Sequence, residues 1–194
     1  MKKIFTIIQA RLNSTRLPRK VLLPFRENKN VLEFLIDRIK NLDPIIATVP
    51  EADEIVTIAK KYNLRYFIGS EKNVLERFYK CALYFGAKKE DIIVRICSDS
   101  PFLNSSIIKK VIKEFNGDYT HNLNDTKGLN VEVFSFECLE KSYKNAKTPY
   151  EKEHVTPWMK RNCLNKEVSI IKKEIVLTID NKEDYERLKK IENI

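Results

Sequence analysis

Apolar and polar positions change rhythm repeatedly along this chain, and each change marks an element. Lys3 to Gln9 is a short apolar run ending in a polar side chain, which predicts a buried first strand. From Asn30 to Lys40 the apolar residues recur at helical spacing, with Asn30 placed as an N-cap. Pro44 to Val49 reads as a second strand, Ala52 to Tyr62 as a helix and Arg65 to Ile68 as a third strand. Gly69 and Ser70 turn the chain into an amphipathic helix, Val74 to Phe85, closed by Gly86. Asp91 to Cys97 is a strand rich in β-branched residues, and Asn104 or Ser105 caps a helix to Phe115. Two shorter strands follow, around 118–122 and 131–135. One helix is predicted over Phe136 to Ala146 and another from Tyr150 through His154 towards Arg161. Val168 to Ile171 and Ile175 to Ile179 read as strands, and Glu183 to Ile191 as a final helix.

Strands alternating with helices of this length imply βαβ units and a largely parallel sheet. Such sheets bind ligands beyond the carboxyl ends of their strands. The informative residues are then those that follow strands: the loop Arg11 to Lys20, the run Ser98-Asp99-Ser100-Pro101, Ser135, and Asp180-Asn181. The first loop carries Arg11, Ser14, Thr15, Arg16, Pro18 and a closing Lys20, the makings of a polyanion cradle. Two strand ends carry an aspartate. Two carboxylates beside a phosphate cradle are what Mg²⁺-dependent phosphoryl or nucleotidyl transfer requires.

Composition bounds the class. With 194 residues, 43% hydrophobic and 32% charged, the expectation is one soluble α/β domain spanning 1–194. No apolar run approaches the ~20 residues needed to cross a bilayer, and the first is too short for a signal-peptide core, so a cytoplasmic location is expected. Cys81, Cys97, Cys138 and Cys163 form no C-x-x-C pair and read as reduced thiols. The net charge of +9 comes from lysines spread along helix faces with acids interleaved, a basic surface rather than a nucleic-acid stripe. No nucleic-acid or membrane partner is expected.

The run Ala10-Arg11-x-x-Ser14-Thr15-Arg16-Leu17-Pro18-x-Lys20 resembles the signature of the cytidylyltransferases that activate acidic sugars, above all the 3-deoxy-manno-octulosonate type. It is closer still to their relatives, the spore coat polysaccharide biosynthesis proteins. Four further stretches agree in order: Gly69 to Tyr79, Ile93 to Pro101, Gly128 to Ser135 with Glu153 to Pro157, and Leu177 to Asp184. The resemblance implies a Rossmann-like three-layer α/β/α nucleotidyltransferase fold. Residues 1–117 would form the nucleotide half, and 118–194 the acceptor and dimerisation half of a homodimer. It further implies that CTP and a sugar or sugar-phosphate acceptor are the substrates, with Mg²⁺ as cofactor. By the same resemblance Arg11 and Lys20 hold the β- and γ-phosphates, while Ala10, Ser14, Thr15 and Arg16 shape the loop. Asp99 and Asp180 bind the metal, Ser98 lies near the nucleotide, Arg77 near the nucleotide or the incoming sugar, and Glu132 and His154 face the acceptor.

Several residues keep a structural alternative. Arg16 can brace the loop against an acid. Asp99 can cap the turn before Pro101. Asp180 can cap the last helix. Glu132 can be a solvated residue or pair with a lysine, and His154 can be structural. Trp158, Phe78 and Tyr79 read as core or dimer contacts. The chain also departs from the family pattern: Arg19 stands for a glycine, Asn130 for a frequent aspartate, and Cys97 for the glutamine of the octulosonate enzymes. Arg19 either crowds the phosphate loop or adds a cation to it. Two further readings stand beside the leading one. One is a transferase using another nucleotide or a nucleotide-sugar; the other is a non-catalytic nucleotide or nucleic-acid binder.

Overall fold

The computed structural model describes residues 2–123, 125–170 and 174–191. Seven strands form one sheet in the order β3-β2-β1-β4-β6-β5-β7. They are β1 (Ile4–Gln9), β2 (Ile45–Thr48), β3 (Tyr66–Ile68), β4 (Ile92–Cys97), β5 (Tyr119–His121), β6 (Glu132–Ser135) and β7 (Asn165–Glu167). The first four are mutually parallel, whereas β6 runs antiparallel to both β4 and β5.

The sheet is buried on both faces, which is why β1 is apolar without alternation. Ile8 faces one apolar cluster, and Phe5 and Ile7 face the other. Helices α1 (Val31–Ile39), α2 (Asp53–Lys61), α4 (Ser105–Lys113) and α8 (Lys182–Lys190) cover the first face. Helices α3 (Val74–Tyr84), α5 (Phe136–Asn145) and α7 (Pro157–Asn162) cover the second, with the short α6 (Pro149–His154) leading into α7. The caps follow the sequence closely. Asn30 forms a full capping box with Glu33, and Asn104 rather than Ser105 caps α4 by accepting from the Ile107 amide. Phe78 is fully buried, and Tyr79 stacks on Tyr143 with centroids 4.4 Å apart, so both serve packing.

The structure corrects the sequence reading in the second half. The helix expected from Tyr150 towards Arg161 is two helices, broken where Val155 takes φ 69° just ahead of Pro157. Pro157 has no N–H to donate to the preceding turn, so one helix cannot keep its bonding through it. The strand expected at 168–171 is displaced: β7 pairs earlier, Tyr119 opposite Asn165, while 168–170 are irregular and 171 lies outside the described residues. The run Ile175 to Ile179 forms no ladder. Its Leu177 amide donates to the Lys127 carbonyl at 2.7 Å and its Ile179 amide to the Asp99 carbonyl at 2.9 Å. It is an apolar strap laid across two loops. Ser135 also moves: because β6 is antiparallel, its end lies at the start of β4, opposite Ile92, where Ser135 caps α5.

Candidate functional site

Strand β1 connects to β2 on one side and neighbours β4 on the other, so the strand order reverses between β1 and β4. That is the position at which an open α/β sheet leaves a crevice. Gln9 and Cys97 end the two strands in register, and the loops beyond them form the walls of a cleft of about 320 Å³.

One wall is the loop after β1. The Ser14 and Arg19 amides both donate to the Leu12 carbonyl, at 3.0 and 2.8 Å, which folds the loop back on itself. Leu12 and Val21 are buried and pin its two ends. Ala10, Arg11, Ser14, Thr15, Arg16 and Lys20 all line the cleft. Arg19 does not line it. It sits in the left-handed region, φ 58°, where glycine is at ease, and its guanidinium pairs outward with Glu54 at 2.6 Å. Neither consequence expected for this residue occurs: the loop is not crowded and gains no cation.

The opposite wall carries the carboxylates. Asp99 follows β4 and accepts from Lys20 Nζ at 2.7 Å; the same ammonium donates to the Ile179 carbonyl at 2.7 Å. Lys20 thereby ties the phosphate loop to both acidic segments. Asp180 accepts from Arg16 at 2.9 Å and from Lys127 at 2.8 Å. Burial alone would raise the Asp180 pKa. The hydrogen bond from Lys127 and the charges of Lys127, Arg16 and Lys20 outweigh it, and the carboxyl is held below its ordinary value. Asp180 does not cap the last helix, because Asn181 does so, accepting from the Asp184 amide at 2.8 Å. The Asp99 carboxylate likewise goes to Lys20. Both aspartates are thus aimed at the cleft.

Arg77, from α3, is 1% exposed and reaches the cleft from below. One terminal nitrogen donates to the Ser70 carbonyl at 2.7 Å, while its Nε is buried with no hydrogen-bond partner among the described residues. Burial first, and then the charge of Arg11, lowers its pKa to about 10. A buried cation that forms no ion pair among the described residues, beside a cationic loop, is arranged for an anionic ligand. Ser98 and His154 also line this cleft; His154 sits against the Tyr150 ring. The cation loop faces α6 here, with Arg11 and Glu153 3.7 Å apart.

Glu132 lies elsewhere. It is 4% exposed and accepts from Tyr119 Oη at 2.5 Å, from Thr156 Oγ1 at 2.6 Å, and from the Arg95 guanidinium. Burial pushes its pKa up, but the charge of Arg95 and these three donors bring it below the ordinary carboxylate value. It borders a second hollow of about 180 Å³, lined by Arg95, Asp99, Ser100, Lys127, Asn130 and Thr178 among others. Arg95, Cys97 and Asp99 border both spaces, so the two communicate across the end of β4. Burial holds the Cys97 thiol up at about 11, so it stays protonated.

Arg95 and Lys127 were not singled out from the sequence. Arg95 is one charge in an apolar strand, a signal that was present. Lys127 stands in a turn whose role depends on Gly128 lying against the Leu177 backbone. Among the described residues no group of three or more metal-ligating side chains converges. No helix there is long and apolar enough to cross a membrane.

A family model described as cytidylyltransferase matches residues 5–193. The chain belongs to the cytidylyltransferase family. As such it is a nucleotidyltransferase enzyme. It is 34% identical to the spore coat polysaccharide biosynthesis protein SpsF of Bacillus subtilis, over 97% of this chain and 86% of that one. Among solved structures, a cytidylyltransferase from Leptospira borgpetersenii superposes with TM-score 0.90 at 32% identity, covering 97% of this chain and 86% of that one. A CMP:2-keto-3-deoxy-manno-octonic acid synthetase complexed with CTP superposes with TM-score 0.76 at 12% identity, covering 97% of each, which shows the shared fold.

Proposed function

We propose that this cytidylyltransferase transfers CMP from CTP to a sugar or sugar-like acid, with Mg²⁺, releasing pyrophosphate in the making of a surface polysaccharide. The observation that carries the reading is the main cleft. Its one wall is the Arg11–Lys20 cation loop and its other wall holds Asp99 and Asp180. The donor set fits magnesium: Asp99 and Asp180 would offer it hard carboxylate oxygens beside the phosphate loop. When bound, the metal would neutralise charge on the phosphates and polarise the reacting one.

The chain's own residues do the rest. Arg11, Arg16 and Lys20 hold the triphosphate, and the buried Arg77 supplies fixed positive charge below it. The acceptor oxygen attacks the α-phosphorus and pyrophosphate leaves. Charge grows on the leaving oxygens, where these cations already stand, so the stabilisation needs little rearrangement. In the ligand-free chain Lys20 and Arg16 rest on Asp99 and Asp180. A triphosphate gives them better partners and frees the carboxylates for the metal. Glu132 holds Arg95 at the border of the acceptor hollow, and His154 closes the main cleft on the α6 side.

The test is pyrophosphate release from purified protein with Mg²⁺, each of the four ribonucleoside triphosphates, and a panel of acidic sugars and sugar phosphates. Release with CTP and one acceptor is the expected result. Undiminished release by the Asp99→Ala, Asp180→Ala double variant would overturn the metal site.

A further inference from the structure

The second hollow opens beside Asp99, and two cations line it among the described residues, Arg95 and Lys127. They are not equivalent. Arg95 is committed: it donates to Glu132 and, at 3.1 Å, to Gln9 Oε1. The Lys127 side chain is 59% exposed and makes one ion pair, to Asp180. Its backbone is nonetheless fixed. The Lys127 carbonyl accepts from Leu177 at 2.7 Å, and Gly128, at φ 94°, lies so close to the strap that an added Cβ would be 2.3 Å from the Leu177 carbonyl carbon. An exposed ammonium on a fixed backbone therefore stands between Asp180 and the hollow.

Resting on the proposed function, we infer that Lys127 is a two-place cation. It sits on Asp180 in the free chain and on an anionic group of the acceptor, a carboxylate or phosphate, once Asp180 is engaged by the metal. Two observations point to an anionic acceptor. Both acids of the hollow are paired, Asp99 with Lys20 and Glu132 with Arg95, and Asp99 would pass from Lys20 to the metal rather than stand free. Asn130 adds no charge to the hollow; its amide donates to the Asn122 carbonyl at 2.9 Å. Taking Asp180 from Lys127 leaves one uncompensated positive charge at the rim. Beside Cys97, Leu123 and Gly128, the rest of the lining includes Ser100 and Thr178, whose hydroxyls suit a polyol. Lys127 thus selects charged acceptors without touching the nucleotide.

The experiment is calorimetry on wild type, Lys127→Met and Lys127→Arg, each saturated with α,β-methylene CTP and Mg²⁺. The probes are 3-deoxy-manno-octulosonate, glucose 1-phosphate and glucose. At least one anionic probe is expected to bind wild type better than glucose. Its Kd should rise by about tenfold or more in Lys127→Met, the loss of one charged hydrogen bond, and largely recover in Lys127→Arg. The Kd for the CTP analogue should stay within about twofold. Equal probe affinity in wild type and Lys127→Met, preference for glucose, or no probe bound by the wild-type ternary complex would overturn the inference. Failure of the underlying reading shows separately, as absence of CTP-analogue binding to wild type. A thermal melt of each variant confirms folding.

Discussion

Replacing Glu132 with glutamine changes one atom type and should unsettle a large part of the molecule. The carboxylate accepts from Tyr119, Thr156 and Arg95, and so joins β5, the start of α7, β4 and β6. The amide keeps one accepting oxygen and presents an NH₂ to a site built of donors. The Arg95 charge then loses its counter-ion, with Gln9 as its remaining partner. Breaking a buried ion pair from one side costs about 3–5 kcal/mol. Arg95 borders both hollows and gains some water, which places the loss near ~3 kcal/mol. For a domain of this size that lowers Tm by roughly 6–12 °C. The pH dependence has a definite sign. The folded pKa of Glu132 is depressed, so its contribution is fully present above the unfolded value of ~4.3 and is lost as pH falls through the folded value. Urea unfolding of wild type and Glu132→Gln should show a constant gap from pH 7 to 5, closing only in stronger acid. A gap below ~1 kcal/mol at pH 7 would refute the network account. So would an unchanged Tm with only the acceptor KM raised, the behaviour of a residue that simply faces the acceptor.

Arg77→Met should keep or raise thermal stability, since it removes an incompletely partnered buried charge, yet weaken CTP·Mg²⁺ binding by about tenfold or more in calorimetry. Equal nucleotide affinity in the variant would remove Arg77 from the site. Gly128→Ala should lower Tm by several degrees and weaken metal-dependent nucleotide binding together, because its Cβ would displace the backbone that leads to Asp180. An unperturbed melt would show that the strap yields freely. Arg19→Gly should change stability by less than ~1 kcal/mol, as relief of the left-handed backbone offsets the extra freedom of the unfolded chain. A loss above ~2 kcal/mol in urea unfolding would mean that its pair with Glu54 matters more than an exposed ion pair should.

The nucleotide half was legible because local rules and long-range packing agree there. Apolar strands buried on both faces, asparagine caps and a cationic loop after β1 each announce themselves in sequence. The loops carrying Arg11, Lys20 and Asp99 meet because β1 and β4 are parallel neighbours, whereas Asp180 reaches them on the strap. The second half was less legible for definite reasons. The reversal of β6 carries Ser135 away from the cleft and brings Glu132 beside Arg95, and a strand's direction leaves no mark in its own residues. Pro157 was a visible break in a helix that otherwise keeps its pattern. The strap at 175–179 has the apolar, β-branched residues of a strand but bonds to two loops instead of a sheet edge, at Lys127 and Asp99. The resemblance put Glu132 at the acceptor side, and it does border the second hollow; its partners Tyr119 and Thr156, 13 and 24 residues away, leave no local mark in the sequence.

The most direct test of the central claim is calorimetric titration of CTP into wild type and into the Asp99→Asn, Asp180→Asn variant, each with and without Mg²⁺. Wild type should bind CTP more tightly with the metal, and the variant should bind CTP but lose the gain that the metal confers. Absence of CTP binding by wild type, or an equal metal-dependent gain in the variant, would contradict the account.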